Sequence, residues 1–191
     1  MTDLATRRGL EQDVYAPAED SGLLARAVID GAHGRILEVG TGSGWVAERV
    51  SAELGLPVIG SDVNPHAARQ ARDRGVEAVV ADLLDAFVDD AFDTVCFNPP
   101  YLPTDPDNEW DDWMERALSG GTTGREIIEP FLADIGRVLA PGGDVFLLVS
   151  SLTGYDETVA LIGANGFDYE VVLEESYPFE TLSVLRLTRA S

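Results

Sequence analysis

Lysine is absent from this chain. All 13 basic residues are arginine, they face 34 acidic residues, and the formal net charge is −21. An acidic surface without lysine is typical of proteins that work in very high salt, where charge repulsion is screened within a few ångströms. We therefore expect a halophilic habitat. Because solvent adaptation explains the acidity, the charge alone argues only weakly against a nucleic-acid partner.

Cysteine and histidine are nearly absent as well. The single cysteine excludes an internal disulfide and is typical of a reducing cytoplasm. Cys96 lies in the middle of a buried-strand pattern, so we interpret it as core packing. His33 and His66 are isolated from each other, and we predict no metal site. No apolar run has membrane-spanning length and no signal-peptide pattern precedes the first acidic residues, which indicates a cytoplasmic protein.

The chain has enough apolar residues to form one hydrophobic core. Its 191 residues, 45% of them hydrophobic, predict a single globular domain over residues 1–191. Helical patterns separate short apolar runs that are rich in β-branched and aromatic residues, which predicts an α/β fold. The predicted strands are residues 35–39, 56–60, 76–80, 93–97, 144–149, 167–174 and 181–188.

A glycine-rich turn follows the first predicted strand and opens a helix at Trp45. Glycines in Gly40-Thr41-Gly42-Ser43-Gly44 allow the backbone to approach a ligand closely, and the helix N-terminus completes a nucleotide-type cradle. Glu38 lies two residues before Gly40. A carboxylate there would repel a pyrophosphate and attract an ammonium or sulfonium group. This Glu-x-Gly-x-Gly-x-Gly spacing favours S-adenosylmethionine over NAD.

Four successive predicted strands each deliver a polar residue at the carboxyl end, namely Glu38, Asp62, Asp82 and Asn98. Ligands of open α/β sheets bind along that edge. Asp62 lies where an acidic residue after the second strand reaches ribose hydroxyls. Asp82 could accept from an adenine amino group, with Leu83 beside the ring. Agreement across four elements predicts one cofactor site.

The chain leaves the sheet at the corner Asn98-Pro99-Pro100-Tyr101, because two prolines cannot continue a ladder. The Asn98 amide and a backbone carbonyl form a paired acceptor suited to a planar –NH2 group, and Tyr101 offers a flat face. Such an acceptor group could be a side-chain amide or an exocyclic amine of a base. The structural alternative is a turn that merely ends a strand.

Two further segments flank this predicted site. Residues 102–117 are acidic, contain tryptophan and are predicted to form a loop over the site. The glycine-rich end of that loop, around Gly120, Gly121 and Gly124, is predicted to act as a hinge. The helix before the first strand is predicted to cover the cofactor with Ser21 facing inward, although an ordinary capping helix fits the pattern equally well.

With these residues in view, the chain resembles the class I methyltransferases, and within them the HemK-like glutamine methyltransferases of translation termination. It is most similar to their short archaeal and eukaryotic members, and the resemblance covers nearly the whole chain. The motifs that carry it are Val14-Tyr15-x-Pro17-Ala18-Glu19-Asp20, Glu38-Val39-Gly40-x-Gly42-Ser43-Gly44, Asp62-x-Asn64-Pro65, Asn98-Pro99-Pro100-Tyr101, Gly120-Gly121-x-x-Gly124-Arg125-Glu126 and Glu180-Thr181-Leu182-Ser183-Val184-Leu185-Arg186.

The resemblance implies a Rossmann-like, seven-stranded, mostly parallel sheet in the order 3-2-1-4-5-7-6, with helices on both faces. It implies N5-methylation of the glutamine in the Gly-Gly-Gln motif of a peptide chain release factor. Asn98, Pro99, Pro100 and Tyr101 would bind the acceptor, with Asn98, Pro99 and Tyr101 as the catalytic residues. The residues that would contact S-adenosyl-L-methionine are Ser21, Glu38, Gly40, Thr41, Gly42, Gly44, Asp62, Val63, Asp82, Leu83 and Asn98.

The resemblance also implies a partner, a small zinc-binding activator protein that forms a heterodimer with the enzyme. The third strand, residues 76–80, would lie at the open edge of the sheet, and it carries no lysine, no proline and only one charge. An unguarded edge invites another chain to pair with it. The alternative is that this chain's own loop, residues 84–90, covers the edge.

Other functions stay open at this level. An adenine-N6 or guanine-N2 methyltransferase would use the same corner, but it would need a basic track for phosphates, and the arginines here are scattered. A protein lysine is a third possible acceptor. A module that binds cofactor without catalysis is a fourth alternative, against which the intact Asn98-Pro99-Pro100-Tyr101 corner argues.

Overall fold

The computed structural model describes Val14, residues 18–101 and residues 120–190. The predicted loop at residues 102–117 lies outside the described residues, as do Tyr15 and Pro17. The described helices are α1 (Glu19–Gly31), α2 (Trp45–Leu54), α3 (Pro65–Asp73), α4 (Ile128–Val138) and α5 (Tyr155–Ala164). The described strands are β1 (Ile36–Val39), β2 (Val58–Asp62), β3 (Glu77–Val80), β4 (Phe92–Phe97), β5 (Leu139–Ser150), β6 (Phe167–Ser176) and β7 (Thr181–Arg189).

All seven of these strands form one sheet in the order β3-β2-β1-β4-β5-β7-β6. The pairs from β3 to β5 are parallel, whereas β7 runs antiparallel to both of its neighbours. The predicted strand order and mostly parallel sheet are confirmed. Since the strands from β1 to β5 share one direction, their carboxyl ends lie along one edge.

The observed strand bounds depart from the predicted ones by one or two residues in most strands, and β2 and β5 depart most. β2 begins at Val58 because Pro57 has no N–H for the ladder, and it continues to Asp62. β5 begins at Leu139, directly after α4, instead of at Asp144. Its pairing with β4 shifts after Leu139 and resumes at Asp144, so the Pro141-Gly142-Gly143 segment forms a bulge.

Each face of the sheet is covered by helices. One core cluster joins α1, α2 and α3 to the sheet and includes Leu24, Cys96 and Phe146. The other joins α4 and α5 to the opposite face and includes Phe97 and Phe131. Cys96 and Phe97 enter different clusters because successive strand residues point to opposite faces. The buried side chains of α4 recur at helical spacing, at Ile128, Phe131, Leu132, Ile135 and Val138.

Burial of each large side chain in these clusters stabilises the fold by about 1.5–3 kcal/mol. Cys96 is buried, in agreement with the core-packing interpretation. His33 and His66 are exposed. Among the described residues, no group of three or more His, Cys, Asp or Glu side chains is placed to hold a metal ion. None of the helices in this part of the chain combines the length and apolarity needed to cross a membrane.

Candidate cofactor and acceptor site

The four predicted polar residues lie along the carboxyl edge of adjacent strands. Glu38 is the last residue but one of β1, and Asp62 is the last residue of β2. Asn98 directly follows β4, and Asp82 follows β3 by two residues. In the sheet, β1 lies between β2 and β4, so Glu38 is central in this row.

The glycine-rich turn joins β1 to α2 in a conformation that requires glycine. Gly44, the residue before α2, has a φ of 80°, and a Cβ there would lie 2.8 Å from the Cα of Ala71 in α3. An L-residue would therefore strain the backbone and collide with a helix. The close approach brings the N-terminus of α2 to the carboxyl edge, where its backbone N–H groups point at the site.

Glu38 is 4% exposed and receives two hydrogen bonds, one from the turn and one from the helix after it. Thr41 Oγ1 donates to Glu38 Oε2 at 2.6 Å, and the Ala47 N–H of α2 donates to the same oxygen at 3.0 Å. Burial raises the pKa of Glu38 to about 8, the two donors oppose the rise, and the nearby Asp62 carboxylate adds to it. A cation that bound beside Glu38 would favour its ionised form.

The buried carboxyl of Glu38 predicts a pH-dependent stability. Its pKa of about 8 in the fold exceeds the ordinary 4.5, so between these values only the folded state holds the proton. The free energy of unfolding therefore falls as pH rises through this window. We expect the Glu38→Gln variant to remove this loss and to exceed the wild type at pH 8 by on the order of 4 kcal/mol, at about 1.4 kcal/mol per pKa unit.

Chemical denaturation of the two proteins at pH 4.5 and pH 8 measures this difference. The Glu129→Gln variant is the matched control, because Glu129 is exposed in the first turn of α4. A Glu38→Gln effect that is the same at both pH values would contradict the prediction.

Asp62 braces the glycine turn from the neighbouring strand. Its Oδ2 accepts from the Gly42 N–H at 2.9 Å, and its Oδ1 accepts from the Asn64 N–H at 2.8 Å. Burial raises the pKa of Asp62, against the lowering effect of these two donors. Each carboxylate oxygen has two lone pairs, so both keep capacity for ribose hydroxyls.

The residues predicted to lie beside the adenine are more exposed to solvent than Glu38. Asp82 is exposed, and Val63 is 46% exposed. Leu83 is half-buried with a φ of 49°, a left-handed conformation that is uncommon for a leucine. Such strain clusters at binding sites, and here it holds an apolar side chain next to Asp82.

The corner after β4 is partly enclosed. Pro99 is buried, whereas Asn98, Pro100 and Tyr101 are half-buried. Asn98 Oδ1 is buried and has no hydrogen-bond partner among the described residues. Burial raises the pKa of the Tyr101 phenol, with further contributions from the Asp20 and Glu180 carboxylates. Tyr101 therefore stays protonated and offers a ring face and an O–H.

One side chain in this site was missed by the sequence interpretation. Asp20 belongs to a motif that carries the resemblance but was not among the predicted site residues, and its side chain is buried at 4% exposure. Asn98 Nδ2 donates to Asp20 Oδ2 at 3.0 Å, across 78 residues of sequence. Ser21, beside it, is 7% exposed, so α1 covers this part of the edge with Ser21 buried. The sequence signal was the paired acids Glu19 and Asp20, of which only Asp20 is buried.

The glycine-rich segment around Gly120, Gly121 and Gly124 forms a hydrogen-bonded turn, and its predicted role as a hinge stays a prediction. The Glu126 N–H donates to the Gly120 carbonyl at 3.0 Å, and Glu126 Oε1 accepts from the Thr122 N–H at 2.9 Å. Gly124 has a φ of 72°, and a Cβ there would lie 2.9 Å from the Tyr101 carbonyl oxygen. The turn thus packs against the acceptor corner, and α4 starts after it, at Ile128.

Known proteins share both the sequence and the fold. A methyltransferase-domain family model matches residues 36–143, more than half of the chain. A putative protein N5-glutamine methyltransferase of Methanocaldococcus jannaschii is 36% identical over 94% of each chain. The chain belongs to the HemK-like glutamine methyltransferase family. The human methyltransferase HEMK2 is 30% identical over 96% of this chain and 93% of its own.

A solved structure in the same family has the same fold. The structure of the E. cuniculi Mtq2–Trm112 complex, described as responsible for methylation of the eRF1 translation termination factor, superposes with a TM-score of 0.73. It is 28% identical and covers 94% of this chain and all of its own matched chain. Membership in the HemK-like family confirms the predicted Rossmann-like fold, the enzyme class and S-adenosylmethionine as cofactor.

The residues present fit this cofactor. The glycine turn leaves room for close backbone approach, two carboxyl groups flank it at Glu38 and Asp62, and an unsatisfied buried acceptor lies at Asn98. Two carboxyl groups suit a ligand that carries positive charge and a ribose, since a cation beside Glu38 favours the ionised form of that carboxyl. The complete set of cofactor contacts, from Ser21 to Asn98, stays a prediction.

Proposed function

We propose that this protein uses S-adenosylmethionine to methylate N5 of the glutamine in the Gly-Gly-Gln motif of a peptide chain release factor. The observation that carries the proposal is the buried, unpartnered Asn98 Oδ1 at the end of β4. A buried acceptor without a partner costs about 1–3 kcal/mol, and a substrate N–H bond would remove that cost. The site thus fits a planar –NH2 group.

The chain's own groups hold the acceptor for transfer. An amide nitrogen is a weak nucleophile because its lone pair is delocalised. Asn98 Oδ1 and the Pro99 carbonyl would each accept one N–H bond, which orients the nitrogen and stabilises the positive charge that develops on it. When bound, the cofactor supplies an activated methyl group on a sulfonium. No residue needs to act as a base beforehand, since water can take the amide proton after transfer.

Tyr101 has a different part in this arrangement. Its ring is half-buried, and its phenol is kept protonated by burial and by surrounding carboxylates. A neutral ring presents a flat face on which a glutamine amide lies. We infer that Tyr101 confines the amide to one plane and does not act as a base.

The charge distribution favours a protein acceptor over a nucleic acid. A nucleic-acid enzyme needs arginines that are free to contact phosphates. Here five of them are paired with carboxylates: Arg26 with Glu175, Arg35 with Asp93, Arg74 with Glu48, Arg137 with Asp134 and Arg186 with Asp144. The described surface offers no continuous basic track.

A methyl-transfer assay tests the proposed function. The purified protein, with radiolabelled S-adenosylmethionine, is offered a release factor, the same factor with the motif glutamine replaced by glutamate, and ribosomal RNA or duplex DNA. We expect label only in the unmodified factor, at N5 of that glutamine. Label in the nucleic acids, or equal label in the altered factor, would contradict the proposal.

We further propose that a small zinc-binding activator protein pairs with β3, the open edge of the sheet. The Ala81 N–H donates to the Asp62 carbonyl of β2 at 3.0 Å. Because strand amides alternate in direction, the Val80 N–H points away from β2, and the Val80 side chain is 51% exposed. A partner strand would find this donor unguarded by lysine or proline.

A hydrogen bond from Arg72 already occupies one carbonyl of the β3 edge. Arg72 Nε donates to the Ala78 carbonyl at 2.7 Å, so a partner strand would have to share or displace that bond.

The loop at residues 84–90 was the alternative to a partner as the cover of the β3 edge. Its hydrogen bonds join it to α4 through Arg137, which accepts from the Asp90 N–H and donates to the Leu84 and Phe87 carbonyls. These contacts give the loop alternative no support.

A charge at the edge tests this partner proposal. The Val80→Lys variant is expected to lose co-purification with the co-expressed activator, because a lysine guards the open edge against strand pairing. The matched control is Val88→Lys, which places the same charge on a valine that is 74% exposed in the loop. Retained co-purification of the Val80→Lys variant would rule out pairing at β3.

A further inference from the structure

The orientation of the Asn98 side chain decides whether the site presents an acceptor or a donor. An asparagine side chain carries an oxygen that accepts and an –NH2 group that donates, and a half-turn about its last bond exchanges them. In this structure Nδ2 faces Asp20 Oδ2 at 3.0 Å, and Oδ1 is the buried atom without a partner. Only this orientation offers an acceptor to a substrate –NH2 group.

Asp20 itself is anchored by its own helix. Its Oδ1 accepts from the Ser21 N–H at 2.6 Å and from Ser21 Oγ at 3.3 Å, and the side chain lies in the first turn of α1. Negative charge is favourable at this end of a helix. The anchored carboxylate therefore presents Oδ2 to Asn98 in a fixed position, and a carboxylate oxygen can only accept.

We propose that Asp20 is a positioning residue that sets the orientation of the Asn98 amide, so that Oδ1 faces the acceptor nitrogen. The reversed orientation would place Asn98 Oδ1 against Asp20 Oδ2, and two acceptors without a proton between them repel each other. The inference rests on the proposed function, because it assigns Asn98 Oδ1 the task of accepting from the substrate. It extends that function to α1, a helix that is distant from the acceptor corner in sequence and contacts it directly in the folded chain.

A purely structural role would use Asp20 differently. An acid that only stabilises the N-terminus of α1 needs the Oδ1 contacts with Ser21 and no contact with the acceptor corner. The second oxygen of Asp20 instead binds the side chain that ends β4. A donor–acceptor exchange between the two side chains separates these roles, because it reverses the direction of one hydrogen bond and conserves total charge.

The first variant is Asp20→Asn. The new amide keeps its oxygen on the Ser21 N–H, so its –NH2 group replaces Oδ2 and faces the –NH2 group of Asn98. We expect Asn98 to turn over, which aims a donor at the substrate and lowers kcat by roughly 10–10²-fold, with retained binding of S-adenosylhomocysteine. The matched control is Glu19→Gln, which removes the same charge from the exposed neighbouring residue and should change kcat by less than about threefold.

The second variant adds Asn98→Asp to Asp20→Asn. The amide at position 20 then donates to a carboxylate at position 98, whose other oxygen again offers an acceptor. We expect kcat to recover by about tenfold over Asp20→Asn alone, which is a non-additive result. A kcat of the Asp20→Asn variant within about threefold of the wild type, or losses that simply add in the double variant, would overturn the proposal.

A readout without activity keeps the proposal testable on its own. The side-chain –NH2 resonances of Asn98, identified by their absence in the Asn98→Asp variant, should exchange with water at least about tenfold faster in Asp20→Asn than in the wild type. Equal exchange in both proteins would overturn the positioning role. A wild type that fails to methylate the release factor would instead refute the proposed function, and the exchange rates would still decide the contact.

Should Asp20→Asn fail to fold, the wild-type spectrum decides by itself. Protection of one Asn98 –NH2 proton from exchange supports the bond to Asp20, and rapid exchange of both protons overturns it.

Discussion

The Asn98→Ala variant is expected to lose methyl transfer by roughly 10²–10³-fold while it keeps its fold, since it removes a preorganised acceptor from the reacting group. Truncation deletes a buried side-chain oxygen that has no partner among the described residues and leaves β4 intact, because Asn98 follows the last strand residue. The loss should appear mainly in kcat, as the contact strengthens when charge develops on the nitrogen.

The matched control for this prediction is Asn165→Ala. Asn165 ends α5, and its Nδ2 donates to the Leu161 carbonyl at 2.8 Å, so this variant also loses one asparagine hydrogen bond. It should lose about 1 kcal/mol of stability with unchanged transfer, because α5 ends at the opposite edge of the sheet. Radiolabel transfer to a release factor, with thermal melting of each variant, makes the comparison. Asn98→Ala activity within a few-fold of the wild type would refute the assigned role.

The Asp62→Ala variant is expected to weaken cofactor binding by about 10²-fold, since hydrogen bonds to a charged group contribute about 1.5–3 kcal/mol each. The substitution strips the carboxylate from the end of β2 and also leaves the Gly42 and Asn64 N–H groups without their acceptor. The cofactor would therefore lose its ribose contact and the bracing of the glycine turn together.

Calorimetry with S-adenosylhomocysteine measures this loss directly. Asp168→Ala is the control, because Asp168 is an exposed acid on β6, far along the sheet from β2. An affinity of Asp62→Ala equal to that of the wild type would remove Asp62 from the cofactor site. An intermediate loss in Asp62→Asn would separate the charge from the geometry of the side chain, because the amide keeps one acceptor oxygen.

The sequence by itself determined the elements and the edge at which they deliver polar residues. The strands, the glycine turn and the proline corner could be predicted from short stretches of sequence. Proline and glycine act on their own and the adjacent backbone, and the alternation of side chains along a strand is visible within a few residues. For that reason Glu38, Asp62 and Asn98 were placed correctly at strand ends. The strand order came from the resemblance, and the structure confirms it.

The limits of β5 depended on strand pairing and could not be predicted locally. Pro57, a local feature, delays β2, whereas the bulge at residues 141–143 is visible only when β4 lies beside β5. A cross-strand partner decides where a ladder begins, and a short window of sequence does not contain that partner.

Only the tertiary structure decided what the polar side chains at the edge touch. The bond from Asn98 to Asp20 spans 78 residues, and the burial that raises the pKa of Glu38 to about 8 comes from helices packed over β1. Burial and hydrogen-bond direction are properties of packed neighbours brought together from distant parts of the chain. The sequence could therefore name Asn98, whereas the fold alone showed which of its atoms faces the site.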